Sequence, residues 1–290
     1  MKLSIISDQI SNDLETACKV IKDSQYEYVE LHNVFGKSIE ECSPSEIIEI
    51  KNILDKYQLK VSNIASTVFF LCPLYDGYQV SLFNPDFHAI HGNLVTHLQY
   101  LERACQIAQQ LDCPSIRIFP FRYPDNPTKE IAGDDEDIAK IIENIKQALP
   151  IAQKYDKVLV LENCPYSHCP KGAMTYKIVN AIQSPHLKLL WDPANSYRAE
   201  KNQVPDQYLN IDLLEEVNLI KQHIQHVHLK NYEFHKDLDK PFVHKALIKG
   251  DINFIKLLPL IPSTVLLSLE SEVDYEDTIK SMQSLIDITS

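Results

Sequence analysis

The chain has 290 residues, enough for one α/β barrel or two ordinary domains, and no Gly-, Ser- or Pro-rich linker divides it, so one domain over 1–290 is expected. A formal net charge of −12 with no Lys/Arg run argues against nucleic-acid or anionic-membrane binding, because phosphate contacts need clustered basic side chains. Six glycines and no G-x-G-x-x-G or P-loop pattern argue against the usual phosphate cradles of nucleotide cofactors. Seven cysteines, an odd number without a C-x-x-C pair, read as reduced thiols packed as small apolar groups. Met1-Lys2 runs directly into Leu3-Ser4-Ile5-Ile6 without an apolar signal core, and no window reaches membrane-span length, so a soluble cytoplasmic protein without a membrane partner is expected. A homo-oligomer is compatible with this sequence, which sets no oligomeric state.

In chain order, a strand over residues 2–7 precedes a helix over 12–22, where Leu14, Ala17, Val20 and Ile21 recur at helical spacing. Tyr28-Val29-Glu30-Leu31 is the second strand. Ser43-Pro44-Ser45-Glu46 is a capping box with proline in the first turn, which starts the next helix. A third strand spans 61–65. The pattern then breaks over residues 67–93, where Phe69, Phe70, Tyr75, Tyr78, Phe83 and Phe87 alternate with Pro73, Gly77 and Pro85. An aromatic loop after a barrel strand lies on the C-terminal face, where it forms either a lid or wall for a ligand or an ordinary satellite cluster. A helix over 94–111 and a strand over 115–119 follow. Asp134, Asp135, Glu136 and Asp137 open a helix to about 155, and acidic groups in a first turn read as a solvated cap.

The last four strands share one grammar. Val158-Leu159-Val160-Leu161 ends on Glu162, Leu187-Lys188-Leu189-Leu190-Trp191 on Asp192, Ile224-Gln225-His226-Val227 on His228, and Val265-Leu266-Leu267-Ser268-Leu269 on Glu270. Continuous apolar runs are the mark of parallel strands buried on both faces, and catalytic groups on such sheets stand at carboxyl ends. The separations of 30, 36 and 42 residues each leave room for a helical crossover, with helices expected near 175–182, 211–223, 253–258 and 275–286. Eight strands alternating with helices make a (β/α)8 TIM barrel.

Three carboxylates and an imidazole on four contiguous strands form a hard, mostly oxygen donor set. It suits one catalytic divalent ion, Mn, Mg, Fe, Co or Zn, with open positions for substrate. A sugar chelating such an ion through a carbonyl and the neighbouring hydroxyl has its α-proton acidified, and Glu162 and Glu270, at the two ends of the arc, can remove and return a proton. Taken singly, an acid ending a strand is as readily a rim residue or the next helix's N-cap; the joint pattern carries the reading. His226 reads as a core or supporting histidine. Lys230 can hold a substrate oxygen or be solvated, and His168 can reach the pocket from its loop. Arg117 and Glu30 lie inside strands, where a barrel-interior ion pair is expected.

These stretches, with Trp191-Asp192-Pro193-Ala194-Asn195, His226-Val227-His228-Leu229-Lys230-Asn231 and Lys249-Gly250-Asp251-Ile252-Asn253-Phe254, resemble the xylose isomerase-like TIM-barrel superfamily of sugar phosphate isomerases and epimerases, which also includes metal-dependent apurinic endonucleases. The resemblance covers nearly the whole chain. It implies one divalent metal held by Glu162, Asp192, His228 and Glu270, proton transfer by the two glutamates, and a small carbohydrate as partner. The endonuclease branch has extra histidines after strands three and four, where this chain has Ala65-Ser66-Thr67 and Phe119-Pro120-Phe121. Asn195 replaces its histidine after strand six, and Phe242-Val243-His244 keeps only the last residue of its Asp-x-His. Asn195, Lys230, His168 and His244 are the substrate-binding candidates, and Asn231 stands where many sugar-active relatives carry Asp. The expected activity is an isomerase or epimerase. The alternatives are an inosose or keto-sugar dehydratase, an apurinic-endonuclease-like phosphodiesterase, and a non-catalytic sugar-binding barrel.

Overall fold

A computed structural model describes residues 1–82, 87–129, 131, 133–199 and 204–290. Phe83 and Pro85 of the aromatic segment lie outside the described residues. Eight parallel strands, β1 (Lys2–Ile5), β2 (Tyr28–Leu31), β3 (Lys60–Val68), β4 (Ser115–Ile118), β5 (Val158–Glu162), β6 (Leu187–Trp191), β7 (Ile224–Leu229) and β8 (Leu266–Leu269), form one sheet. Each pairs with its sequence neighbour from β2 to β8, β8 pairs with β1, and a parallel bridge between Ile6 and Glu30 brings β1 back to β2. The result is a nearly closed (β/α)8 barrel.

The principal crossover helices are α1 (Leu14–Asp23), α2 (Pro44–Tyr57), α3 (Leu94–Gln110), α4 (Asp135–Lys154), α5 (Gly172–Ile182), α6 (Leu213–Ile220), α7 (Phe254–Leu257) and α8 (Tyr275–Thr289). The capping box at α2 forms as its sequence dictates: Glu46 N–H donates to Ser43 Oγ at 3.3 Å and Ser43 N–H to Glu46 Oε2 at 2.7 Å. No helix among the described residues is long and apolar enough to cross a membrane.

Two strand limits differ from the sequence pattern by two residues or more. β1 stops at Ile5 because Ser7–Gln9 winds into a 3-10 turn. β3 runs three residues beyond Ala65, through a register shift between Ile64 and Val68. An irregularity of this kind bends a strand and re-aims its carbonyls. Here the Ala65 and Ser66 carbonyls accept hydrogen bonds from Arg117 in the barrel interior at 2.9 and 3.0 Å.

The acidic run before α4 is only partly a solvated cap. Asp134 caps the helix, accepting from Asp137 N–H at 2.8 Å. Asp137 is buried and receives Tyr75 OH at 2.9 Å and the Gly133 N–H at 3.2 Å, with His168 Nδ1 at 3.0 Å. Burial opposes its charge, but these hydrogen bonds overcome it and bring the carboxyl down to about 2.

His97 of α3 carries a pH dependence. It is fully buried, and its Nδ1 accepts the Phe69 N–H at 2.9 Å. Burial holds its pKa down at about 4. The unfolded chain takes up this proton near pH 6.5, so the contribution of neutral His97 is intact above that value and is lost as pH falls towards 4, by about 1.4 kcal/mol per unit. Urea unfolding of wild type and His97→Gln between pH 7 and 5 is expected to show a steeper loss in wild type. Parallel curves would remove the assignment.

Asn231, beyond the end of β7, is a structural clamp. Its amide donates to the Leu247 and Ile252 carbonyls at 2.7 and 3.0 Å, and its oxygen accepts from Tyr232 and Ile252 N–H at 2.9 and 3.0 Å. A Cβ on Gly250 would press on the Asn231 amide and come within 2.6 Å of the Tyr232 carbonyl. Gly250→Ala is therefore expected to cost about 1–3 kcal/mol in thermal unfolding, the usual range for overpacking. An unchanged melting temperature would show that the clamp yields.

Candidate metal centre

The four strand ends converge. One ligand atom each from Glu162, Asp192, His228 and Glu270 lies within 4.8 Å of all the others. Local chemistry aims each one. Asp192 is the N-cap of the short helix Pro193–Tyr197: Oδ1 accepts Asn195 N–H at 2.8 Å, which leaves Oδ2 for the site. Buried Asn163 locks that geometry, accepting Asp192 N–H at 2.9 Å and donating to the Asp192 carbonyl at 2.8 Å and Ser196 Oγ at 3.1 Å.

His228 is set by what stands behind it. Its Nε2 lies 3.1 Å from both oxygens of fully buried Glu30, which also takes His226 Nε2 at 3.0 Å and the Asn63 amide at 2.7 Å. A carboxylate behind one ring nitrogen fixes the tautomer and leaves the other as a ligand. Nδ1 indeed faces Glu162 at 3.5 Å and Glu270 at 3.7 Å, without a hydrogen-bond partner. Burial pushes the Glu30 carboxyl up, but His228 and His226 overcome it and hold it well below the usual range. Glu30, His226 and His228 also meet as a second cluster, but these residues are occupied with one another beneath the cavity, which reads as support for the first.

Two cations enter the same group of acids. Lys230 Nζ stands 2.5 Å from Glu270, 3.1 Å from Asp192 Oδ2 and 3.2 Å from Glu272. Arg117 Nη1 stands 3.2 Å from Glu162 and 3.5 Å from Glu270. The expected Arg117–Glu30 pair is replaced because the histidines claim Glu30, while the longer Arg117 reaches up to the ligand layer. Burial raises the Asp192 carboxyl to about 6. Glu270 stays well below the usual range because Lys230 and His228 outweigh its burial.

The donor set fits a divalent cation on two observations. Asp192 Oδ2 and His228 Nδ1 are buried without hydrogen-bond partners. Glu162, Asp192 and Glu270 meet only two permanent cations, Arg117 and Lys230, so the carboxylates outnumber the fixed positive charges among them.

Above this group lies a cavity of about 580 Å³, lined by Glu162, Glu270, Arg117 and Lys230 at its floor and by Phe70, Leu82, Phe87 and Phe119 along one wall. That volume suits a small-molecule site. The aromatic segment thus divides: Phe70 and Phe87 build the wall, whereas Phe69 stacks on Phe121 in the main core at 4.8 Å. Arg198 also lines the cavity, with guanidinium N–H groups donating to Tyr166 OH at 3.2 Å and Tyr232 OH at 3.3 Å.

The expected substrate contacts fare differently. Asn195 lines the cavity, its amide donating to the Asn163 carbonyl at 2.9 Å and Glu162 Oε1 at 3.4 Å. His244 lines it too, 3.2 Å from Glu272 and packed on Tyr232. His168 does not: Asp137 holds Nδ1, Tyr78 stacks on the ring, and the side chain is buried outside the cavity wall.

The model of the xylose isomerase-like TIM-barrel family matches residues 18–287. No curated protein matches the sequence. Among solved structures, the chain is similar to the IOLI protein with a bound zinc atom (TM-score 0.71, 14% identity, 100% of this chain and 98% of that one). It is also similar to the probable 3-DHS dehydratase AsbF from Bacillus anthracis (TM-score 0.69, 14% identity, 100% and 99%). A third similar structure is 3-keto-D-glucoside 4-epimerase, YcjR, from E. coli (TM-score 0.65, 15% identity, 100% and 99%).

Proposed function

Because the chain belongs to the xylose isomerase-like TIM-barrel family, we propose that it is a divalent-metal-dependent isomerase or epimerase that removes a proton next to the carbonyl of a small sugar or polyol. The observation that carries this reading is the convergence of Glu162, Asp192, His228 and Glu270, of which Glu162 and Glu270 line a substrate-sized cavity. The named activities of two similar structures, an epimerase and a probable dehydratase, agree with carbonyl-centred chemistry.

A divalent ion in this site would supply Lewis-acid stabilisation of the negative charge that develops on substrate oxygen. The protein's own groups do the rest. Glu162 and Glu270 both line the cavity floor, so one takes the α-proton and the other returns a proton. Return to the opposite face of the same carbon is epimerisation, and return to the neighbouring carbon is isomerisation. Arg117 orients Glu162 and Lys230 orients Glu270 through their ion pairs. Asn195 fixes Glu162 through its amide. The Phe70, Phe87 and Phe119 wall limits water beside the reacting carbon.

A trinuclear phosphodiesterase site is disfavoured, because Phe119 and Phe121 stand where that branch places histidine and the second acid–histidine cluster here is sealed beneath the cavity. The test is α-proton exchange into deuterated water across ketoses and inososes, with Mn-loaded protein. Exchange without net product identifies the proton-transfer step, a new sugar distinguishes isomerase from epimerase, and a conjugated enone marks dehydration. No exchange with any member of the panel would leave the sugar-binding barrel as the better reading.

A further inference from the structure

Beside the β8 end of the metal arc, the loops after β1 and β2 carry a polar cluster that the reaction above does not use. Asp8 Oδ2 lies 3.0 Å from His32 Nδ1 and accepts the Asn33 backbone N–H at 3.2 Å. All three residues line the cavity, and His32, only 4% exposed, packs tilted against Phe87 at 4.7 Å between ring centroids. Asp8 Oδ1, His32 Nε2 and Asn33 Oδ1 are each buried and have no hydrogen-bond partner. Three such orphans within one cavity wall are unusual, because each buried polar atom left unmade costs about 1–3 kcal/mol.

The Asp8 carboxylate accepts from His32 Nδ1–H, which leaves Nε2 turned to the cavity without a partner. Asp8 Oδ1 and Asn33 Oδ1 are acceptors. What satisfies such a set is a group of hydroxyls, which both donate and accept, and what a carboxylate at its centre repels is an anion. The geometry points to Asp8, His32 and Asn33 as a binding subsite for the hydroxyl-bearing end of the substrate remote from its carbonyl, and so to an unphosphorylated polyhydroxy compound. This rests on the carbonyl being held at the metal end of the same cavity, as proposed above. A polyol in the same cavity can present C–H faces to Phe70 and Phe87 and hydroxyls to Asp8, His32 and Asn33.

The test uses ligands that cannot react. Calorimetric titration of Mn-loaded protein with xylitol, sorbitol and sorbitol 6-phosphate reads the subsite without reading catalysis. Sorbitol or xylitol is expected to bind, sorbitol 6-phosphate to bind at least tenfold more weakly, and Asp8→Asn and His32→Gln each to weaken alditol binding roughly tenfold, the equivalent of one lost hydrogen bond. Both variants should keep one metal per chain and the wild-type melting curve. Asn33→Ala serves as the second probe should either of them fail to fold. Wild-type affinity in the variants, tighter binding of the phosphate, or no alditol binding by the wild type would each overturn the inference. Alditol binding without proton exchange on any carbonyl sugar would leave the subsite standing and remove the isomerase reading instead.

Discussion

Asp192→Asn is expected to reduce bound metal from about one ion per chain to nearly none, and to slow α-proton exchange by about a thousandfold, the scale of losing the main electrostatic stabilisation of a developing oxyanion. Asparagine is the informative replacement because it keeps an oxygen for the cap on Asn195 N–H, so the helix after β6 retains its start. What it removes is the charge on Oδ2, the buried atom that has no hydrogen bond and whose charged neighbour is Lys230 at 3.1 Å. Asp192→Ala removes the cap as well and should also lower stability by about 1 kcal/mol. Elemental analysis of protein dialysed after Mn loading, beside deuterium exchange, reads both effects. A full equivalent of metal in Asp192→Asn would place the ion elsewhere, and loss of exchange with metal retained would make Asp192 a substrate contact.

The four convergent side chains were legible because their signal is local. An apolar run that stops on a polar residue sets strand, end and direction together, and contiguity in a barrel then places neighbouring ends side by side. The same local logic gave the capping box of α2 and the supporting place of His226. Arg117 was not legible in this way. Its partners depend on a register shift in β3 that no residue of β4 announces, and on the prior claim of two histidines on Glu30. His168 failed for a related reason: nearness to Glu162 in sequence put it near the cavity, but Asp137, inward-turned within an acidic run that read as solvated, draws the ring away. The Asp8, His32 and Asn33 cluster joins two loops that become neighbours only when β1 and β2 close the barrel. Strand ends can thus be read from single stretches, whereas contacts between loops need the closed ring.

Arg117→Met is expected to cost the metal-free protein about 3–5 kcal/mol, the range for breaking a buried ion pair and leaving its partners behind. The guanidinium is 2% exposed and spends its donors on the Ser66 and Ala65 carbonyls and on Glu162, with Glu270 close by. Methionine fills most of the volume but leaves two re-aimed carbonyls unpaired and two carboxylates short of a positive charge. A divalent ion relieves only the second of these faults. Saturating metal should therefore restore more stability to the variant than to wild type, because the ion no longer competes with the guanidinium for Glu162 and Glu270. Binding at a thousand times Kd contributes about 4 kcal/mol to any folded state, and an excess over that in Arg117→Met measures the charge Arg117 had supplied. Urea unfolding in chelator and in excess Mn gives the four values needed. Arg117→Lys keeps the charge without the fork and should fall between the two, closer to wild type in its response to metal. Equal destabilisation of Arg117→Met with and without metal would mean that the carbonyl bonds to β3 account for the whole effect, making Arg117 a strut of the barrel with no part in setting the charge of the site.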